Sequence, residues 1–310
     1  MTLAPLPTAG VSNVVYFGTP EVAVAPLQAL VSSGCNVQLV VTRPDVRRGR
    51  GGETTASPVK IAAQKLGIAV SHSAQDAIAL AEIDPQLIGV VVAFGELIKT
   101  NVLSAVPMVN VHFSLLPRWR GAAPVERAIL AGDTHTGACI MRVVEKLDEG
   151  EVFARSEIEI TNEDDVVSLR RKLNAEAINL LLGVLKNGFK NGVPQTGEII
   201  YAKKITSADL QIDWHTPSTQ IIRQVRIGGA FTFITAKRLK VVRASVVVNS
   251  LFKKLPGSIC ELTKTTCTVA TGDGAISLEY VQPEGKSSMS VEDWLKGARL
   301  NPDIKFGKNS

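Results

Sequence analysis

Residues 109–124 read VNVHFSLLPRWRGAAP. A short β-branched run carries Asn110 and His112 two positions apart. It then breaks into a Ser114-Leu115-Leu116-Pro117 turn and runs on into Arg118-Trp119-Arg120-Gly121. Residues i and i+2 of a strand share a face. Asn110 and His112 are therefore predicted to project side by side, with Val109, Val111 and Phe113 packed behind them. An amide and an imidazole at a strand's C-terminal end can hold a developing oxyanion and move a proton. Taken alone, His112 also reads as a hydrogen-bonded core histidine and Asn110 as a turn former.

On either side of this stretch, short apolar runs alternate with helical patterns. Strands are predicted at 13–18, 37–42, 68–70, 89–94, 109–113 and 138–143. Helices are predicted over about 21–33 and over 57–66, the latter with Ser57 as N-cap and Pro58 at the first helical position. Continuous apolar strands separated by helices imply an α/β fold, a doubly wound and mostly parallel sheet covered on both faces. Ligands of such sheets bind beyond the C-terminal strand ends, near a topological switch point. Asn110, His112 and the turn after them occupy one such end. The loop after the first strand is Gly18-Thr19-Pro20-Glu21, which lacks the dinucleotide fingerprint, and no phosphate-binding P-loop pattern occurs.

The 310 residues suit two domains better than one. No apolar run approaches the ~18 residues of a membrane span, so no membrane partner is expected. MTLAPLPTAG at the start has no charged n-region and reads as a short loose tail. Cys35, Cys139, Cys260 and Cys267 are scattered without a C-x-x-C pair. That spacing argues against disulfides and against a bound metal, and fits a reducing cytoplasm. The net charge of +5 is unevenly placed. Residues 1–204 hold 20 Lys/Arg and 20 Asp/Glu, and residues 205–310 hold 14 and 9. Within 231–254, Lys237, Arg238, Lys240, Arg243, Lys253 and Lys254 stand without an acidic residue. Such a stretch is either a solvated lysine-rich face or a polyanion-binding one. With few aromatics nearby, phosphate contact is the expected mode rather than base stacking.

Residues 43–53, RPDVRRGRGGE, place four arginines and three glycines where no core element can form, so a basic surface excursion is expected. Apolar spacing over 164–185 predicts an amphipathic helix. A Gly/Asn/Pro-rich segment follows, giving an expected organisation of 1–190, a linker over 191–207, and 208–310. The last part shows a helix near 218–226 and strands at 231–235, 239–247, 258–263, 266–271 and 275–281. This spacing suggests a small β-barrel.

The block Asn110-Val111-His112, Ser114-Leu115-Leu116-Pro117 and Arg118-Trp119-Arg120-Gly121-Ala122-Ala123-Pro124 resembles the signature of folate-dependent formyltransferases, in particular their tRNA-formylating branch. Leu147-Asp148-Glu149-Gly150 is similar to the family's Leu-Asp-x-Gly loop, and Pro44-Asp45 through Gly49-Arg50-Gly51 to its basic insertion. Tyr201 through Ile205, Ile212-Asp213-Trp214 and residues 270–274 also match.

The resemblance implies a Rossmann-like formyltransferase domain followed by an OB-like barrel that binds tRNA. It implies Asn110, His112 and Asp148 as the catalytic set, and Ser114, Leu115, Leu116 and Pro117 as the wall beside the folate. It further implies Arg43, Arg47, Arg48, Arg50, Lys204, Lys237, Arg238 and Lys240 as tRNA contacts. The co-substrate would be 10-formyltetrahydrofolate, with no metal. The partner would be initiator methionyl-tRNA, and the enzyme a cytoplasmic monomer. Gly52-Glu53 and 227–233 depart from the family pattern. Competing readings are a formyltransferase acting on a sugar-nucleotide or glycinamide ribonucleotide amine, and a non-catalytic RNA-binding protein.

Overall fold

The computed structural model describes residues 2–47, 54–247 and 254–307. The chain divides into two compact units. The first comprises Met1–Val125, Thr134–Ile160 and Leu169–Lys203; the second comprises Glu126–Asp133, Thr161–Ser168 and Lys204–Ser310.

The elements run β1 (Asn13–Gly18), α1 (Val24–Ser32), β2 (Asn36–Val41), β3 (Val46–Arg47), β4 (Thr54–Thr55), α2 (Pro58–Lys65), β5 (Val70–Ser71), α3 (Asp76–Ile83), β6 (Ile88–Val92) and α4 (Thr100–Ala105). They continue through β7 (Met108–His112), β8 (Arg118–Gly121), α5 (Pro124–Ala131), β9 (His135–Arg142), β10 (Val152–Glu159), α6 (Val166–Asn187) and β11 (Ile200–Ala202). Seven of the strands form one sheet in the order β10-β9-β7-β6-β1-β2-β5. Its pairs are parallel from β7 to β5, while β9 and β10 add antiparallel strands at one edge.

The sheet is buried on both faces, as its unbroken apolar strands require. Val15 and Phe17 join a core with Ala77 of α3 and Val102 and Leu103 of α4. Val14 and Tyr16, which alternate with them, point the other way and are also fully buried. The chain leaves β1 toward β2 and β5, then returns to β6 on the opposite side. The strand order therefore reverses between β1 and β6, which places the switch point there. A side chain at Gly18 would collide with Tyr16, Ala23 and the Val92 carbonyl. The loops after β1 and β6 are tied by Thr19 Oγ1 donating to the Phe94 carbonyl at 2.8 Å.

Ser57 caps α2 as its position suggested, its hydroxyl accepting from the Lys60 N–H, with Pro58 at N1. The N-terminal segment differs from the loose tail expected. The Ala4 N–H donates to the Leu103 carbonyl, the Pro7 carbonyl accepts from Phe189, and the Val11 N–H donates to Leu185. These bonds satisfy main-chain groups that a charge-free tail would otherwise leave to water. Among the described residues no helix is long and apolar enough to cross a membrane.

The second unit contains α7 (Ser207–Leu210), α8 (Ser218–Arg226), β12 (Phe231–Ile234), β13 (Lys237–Val247), β14 (Ile259–Leu262), β15 (Cys267–Ala270), β16 (Ala275–Pro283), β17 (Met289–Ser290) and α9 (Val291–Ala298). Its strands form an antiparallel sheet in the order β12-β13-β16-β15-β14, with β17 on β16. Register shifts on β13 at Val241/Arg243 and Arg243/Ala244 bend this strand and curl the sheet. No ladder joins β12 to β14 among the described residues, so the strands form a curled half-barrel where a small OB-like barrel was expected. Trp214, Ile221, Leu239, Val241, Ile276 and Leu278 belong to its core.

Arg127 donates to both carboxylate oxygens of Asp209, at 2.7 and 3.2 Å, and Thr206 closes a capping box on the same side chain. The Arg127 hydrogen bond holds the Asp209 carboxyl down at about 2. A carboxyl depressed on folding contributes stability above its unfolded value near ~4, and that contribution is lost as pH falls toward the folded value. The denaturant midpoint of Arg127→Gln should therefore lie below the parent's near neutral pH. The gap should close progressively below about pH 4. A gap independent of pH would remove this ion pair as its source.

Candidate active site

β7 presents Asn110 and His112 on one face and buries Val109 and Val111 on the other. Across the antiparallel ladder Asn110 opposes Met141 and His112 opposes Cys139, so those four side chains share a face. His112 is 5% exposed. Its Nε2 lies 2.9 Å from the Trp119 carbonyl. A carbonyl only accepts, so Nε2 carries the hydrogen and Nδ1 is the nitrogen left free to exchange a proton. Trp119 reaches that position because the chain turns back after β7. Ser114 Oγ donates to the Arg118 carbonyl at 2.6 Å, the Leu116–Pro117 bond is cis, and Trp119 itself has φ +65°.

Asp148 enters from the loop after β9. Its Oδ2 lies 3.7 Å from His112 Nδ1 and accepts the Gly121 N–H at 2.8 Å. Its Oδ1 lies 3.5 Å from Asn110 Nδ2, a long contact that leaves the amide hydrogens largely available. The amide, the imidazole and the carboxylate thus converge at the C-terminal end of β7. A proton arriving on Nδ1 would be met by the carboxylate in a nearly dry setting, where the attraction is stronger than in water.

Asp148 has φ +53°, and the turn it begins is held tightly. Gln195 Nε2 donates to the carbonyls of Asp148 and Gly150, both at 2.8 Å. Gln195 Oε1 accepts from Nε and Nη2 of the buried Arg120 at 3.0 and 2.8 Å. Arg120 Nη1 also pairs with Glu149 at 3.1 Å. A Cβ at Gly150 would run into the Arg142 carbonyl, so that position needs glycine. Gln195, Arg120 and Glu149 were not singled out from the sequence. A side chain that donates to main-chain carbonyls leaves no spacing signature.

The Ser114-to-Pro117 turn spends most of its side chains on structure. Ser114 is fully buried, Leu115 packs against Gly137, and Leu116 clusters with Cys139, Met141 and Val152. Leu116 nevertheless lines a cleft of about 330 Å³ with Val152, Phe153, Arg155, Pro194 and Gln195. Met141 and Cys139 oppose Asn110 and His112, which places this cluster on the catalytic face of the sheet. Burial pushes the Cys139 thiol up, and the Cys267 thiol up to about 12, so both are inert at neutral pH.

The expected basic contacts are distributed differently. In the first unit, Arg43 pairs with Glu96 at 3.3 Å and is half-exposed. The backbone of Arg47 pairs with Thr54 in the β3–β4 ladder. Arg48 and Arg50 lie outside the described residues, as do Gly52, Glu53 and Lys253. In the second unit, Lys204 and Lys237 are exposed and Lys240 is partly buried. The Arg238 guanidinium stacks 3.7 Å over the Phe231 ring, and its Nε is buried with no hydrogen-bond partner among the described residues. Among the described residues no group of three or more His, Cys, Asp or Glu side chains could hold a metal ion.

An amide, imidazole and carboxylate at the end of a parallel strand are the equipment of an acyl-transfer site, and the comparisons narrow the class. Residues 12–185 match the model described as formyl transferase, and residues 204–299 the model described as formyl transferase, C-terminal domain. The methionyl-tRNA formyltransferase of Jannaschia sp. (strain CCS1) is 39% identical over 304 residues, covering 94% of this chain and 98% of its own length. That of Corynebacterium aurimucosum is 40% identical over 315 residues, covering 92% and 94%. The crystal structure of HypX from Aquifex aeolicus in complex with tetrahydrofolic acid shares the fold at 16% identity. Its TM-score is 0.65, covering 94% of this chain and 50% of that one. The chain belongs to the formyl transferase family, among the methionyl-tRNA formyltransferases.

Proposed function

We propose that this chain transfers the formyl group of 10-formyltetrahydrofolate to the α-amine of initiator methionyl-tRNA, giving N-formylmethionyl-tRNA for translation initiation. The observation that carries the reading is the meeting of Asn110, His112 and Asp148 at one strand end, in a chain matched along almost its full length by enzymes named for this reaction. The chemistry needs a free amine, a polarised formyl carbonyl and a leaving nitrogen that takes up a proton. The amine nitrogen bonds to the formyl carbon, the bond from that carbon to the folate nitrogen breaks, and one proton passes from amine to leaving nitrogen. Asn110 Nδ2 donates to the formyl oxygen as negative charge builds on it. His112 Nδ1 carries the proton, steadied by Asp148 while it is charged. The Ser114-to-Pro117 turn and the cleft beside it suit the folate, since Leu116 offers an apolar wall.

The expected segments divide the work in this reading, with 1–190 performing transfer and 208–310 acting as an OB-like binder of tRNA, while residues 191–203 of the expected 191–207 linker belong to the first unit. Arg43, Arg47, Arg48, Arg50, Lys204, Lys237, Arg238 and Lys240 are assigned to the tRNA backbone. The protein is taken to act as a cytoplasmic monomer. Sugar-nucleotide and glycinamide acceptors are less well supported, because the near-full-length relatives carry a different name.

Purified protein should formylate charged methionyl-tRNA with 10-formyltetrahydrofolate and leave sugar-nucleotide amines untouched. Its affinity for tRNA should fall steeply between about 50 and 200 mM salt, as phosphate contacts require. Formylation of the sugar amine with none on methionyl-tRNA would overturn the assignment.

A further inference from the structure

We propose that Gln195 is a positioning residue, a latch that fixes the carboxylate of Asp148 against His112. The inference rests on the catalytic reading of Asp148 given above. The turn from Asp148 to Gly150 starts in the left-handed region, a conformation aspartate adopts more readily than most residues but still at some cost. Both amide hydrogens of Gln195 go to that turn, one to the Asp148 carbonyl and one to the Gly150 carbonyl. Its carbonyl oxygen takes two hydrogen bonds from Arg120, whose remaining nitrogen pairs with Glu149. Asp148 and Gly150 are thus held by hydrogen bonds from Gln195, and Glu149 between them by its charge contact with Arg120.

The grip is tied to the catalytic geometry. Gly121, next in chain to Arg120, donates its N–H to Asp148 Oδ2, the oxygen that faces His112 Nδ1. Gln195 is itself placed by an antiparallel bridge two residues earlier, where Val193 and Val152 exchange main-chain hydrogen bonds at 2.9 Å. The job asks for two donors and one acceptor on a planar group of fixed reach. Glutamate has no donors when ionised, and asparagine is one methylene short. Every polar atom of the Gln195 side chain is engaged with protein, so its part in the cleft it lines is structural rather than chemical.

Two variants of the full-length protein test the latch. Gln195→Glu keeps a partner for Arg120 but loses both donors, and Gln195→Ala loses everything. In both, exchange of the Gly121 amide should quicken about tenfold or more as the turn opens locally. In both, kcat for formyl transfer should fall about 10–100-fold, as expected for an ångström-scale misplacement, with KM for methionyl-tRNA held. Added to Asp148→Asn, Gln195→Ala should cost little more, because both changes act through one carboxylate. Unchanged Gly121 exchange, or a loss that simply adds to that of Asp148→Asn, would overturn the latch. Full turnover in Asp148→Asn would remove the catalytic reading instead, and the exchange measurement would still decide whether Gln195 holds the turn.

Discussion

Replacing His112 with alanine is expected to lower kcat for formyl transfer by about 10²–10⁴-fold, the range for losing a positioned proton carrier. Nδ1 is the only nitrogen of the ring free to take a proton, since Nε2 is committed to the Trp119 carbonyl at 2.9 Å. No other imidazole can substitute. His72 bonds the Thr42 carbonyl, His135 contacts Thr134, and His215 lies against Asp213 in the second unit. Removing the ring also takes the His112 N–H away from the Trp119 carbonyl, which loosens the turn after β7. The experiment therefore pairs single-turnover rates with thermal denaturation, so that lost protein is not counted as lost chemistry. Asn110→Ala should follow with a loss of about 10²–10³-fold, the effect of deleting one oxyanion donor. Both variants should bind folate nearly as well as the parent, because the deleted groups act most strongly once charge develops. A His112→Ala enzyme turning over within a few-fold of the parent would end the proton-carrier assignment.

What the sequence makes legible is local. β7 announces both its face and its end: alternation sets Asn110 beside His112, and Ser-Leu-Leu-Pro stops the strand. The parallel arrangement follows in the same way from unbroken apolar runs separated by helices. What stays hidden depends on pairing between distant segments. Residues 118–121 carry two arginines around Trp119 and end in glycine, yet they form β8 because Ile200–Ala202 supplies a parallel partner some eighty residues later. β10 alternates exposed and partly buried positions, a weak pattern that becomes a strand only against β9. The N-terminal segment reads as loose because its few buried or partly buried apolar side chains, Leu3, Ala4 and Val11, follow no periodic pattern and its other anchors are main-chain groups. Gln195 falls in a stretch whose composition reads as linker, and its role exists only once the Asp148 turn is folded beside it.

In the second unit the largest effect is expected from Trp214→Ala. The indole is 3% exposed in a core with Ile221, Val225, Leu239 and Leu278. Its edge meets the Phe306 ring at a centroid distance of 5.5 Å, and its Nε1–H donates to Thr232 Oγ1 at 2.9 Å. Truncating a buried tryptophan typically costs about 3–5 kcal/mol through lost transfer energy and the cavity left behind. Thr232, fully buried on β12, also loses its hydrogen-bond donor. Against a typical domain stability of about 5–15 kcal/mol, a loss of this size lowers the melting transition by several degrees or more, and unfolds the unit at working temperature where the parent's stability is near the low end of that range. Trp214→Phe should recover most of the packing while still lacking the N–H, so it should fall between the two. If this unit supplies the grip on tRNA, Trp214→Ala should raise KM for methionyl-tRNA severely and flatten the salt dependence of binding. KM for folate should change little, since the first unit has its own core around Val15, Phe17 and Leu103. An alanine variant whose second unit is unfolded at the assay temperature, yet whose tRNA affinity is unaltered, would place the tRNA contacts in the first unit.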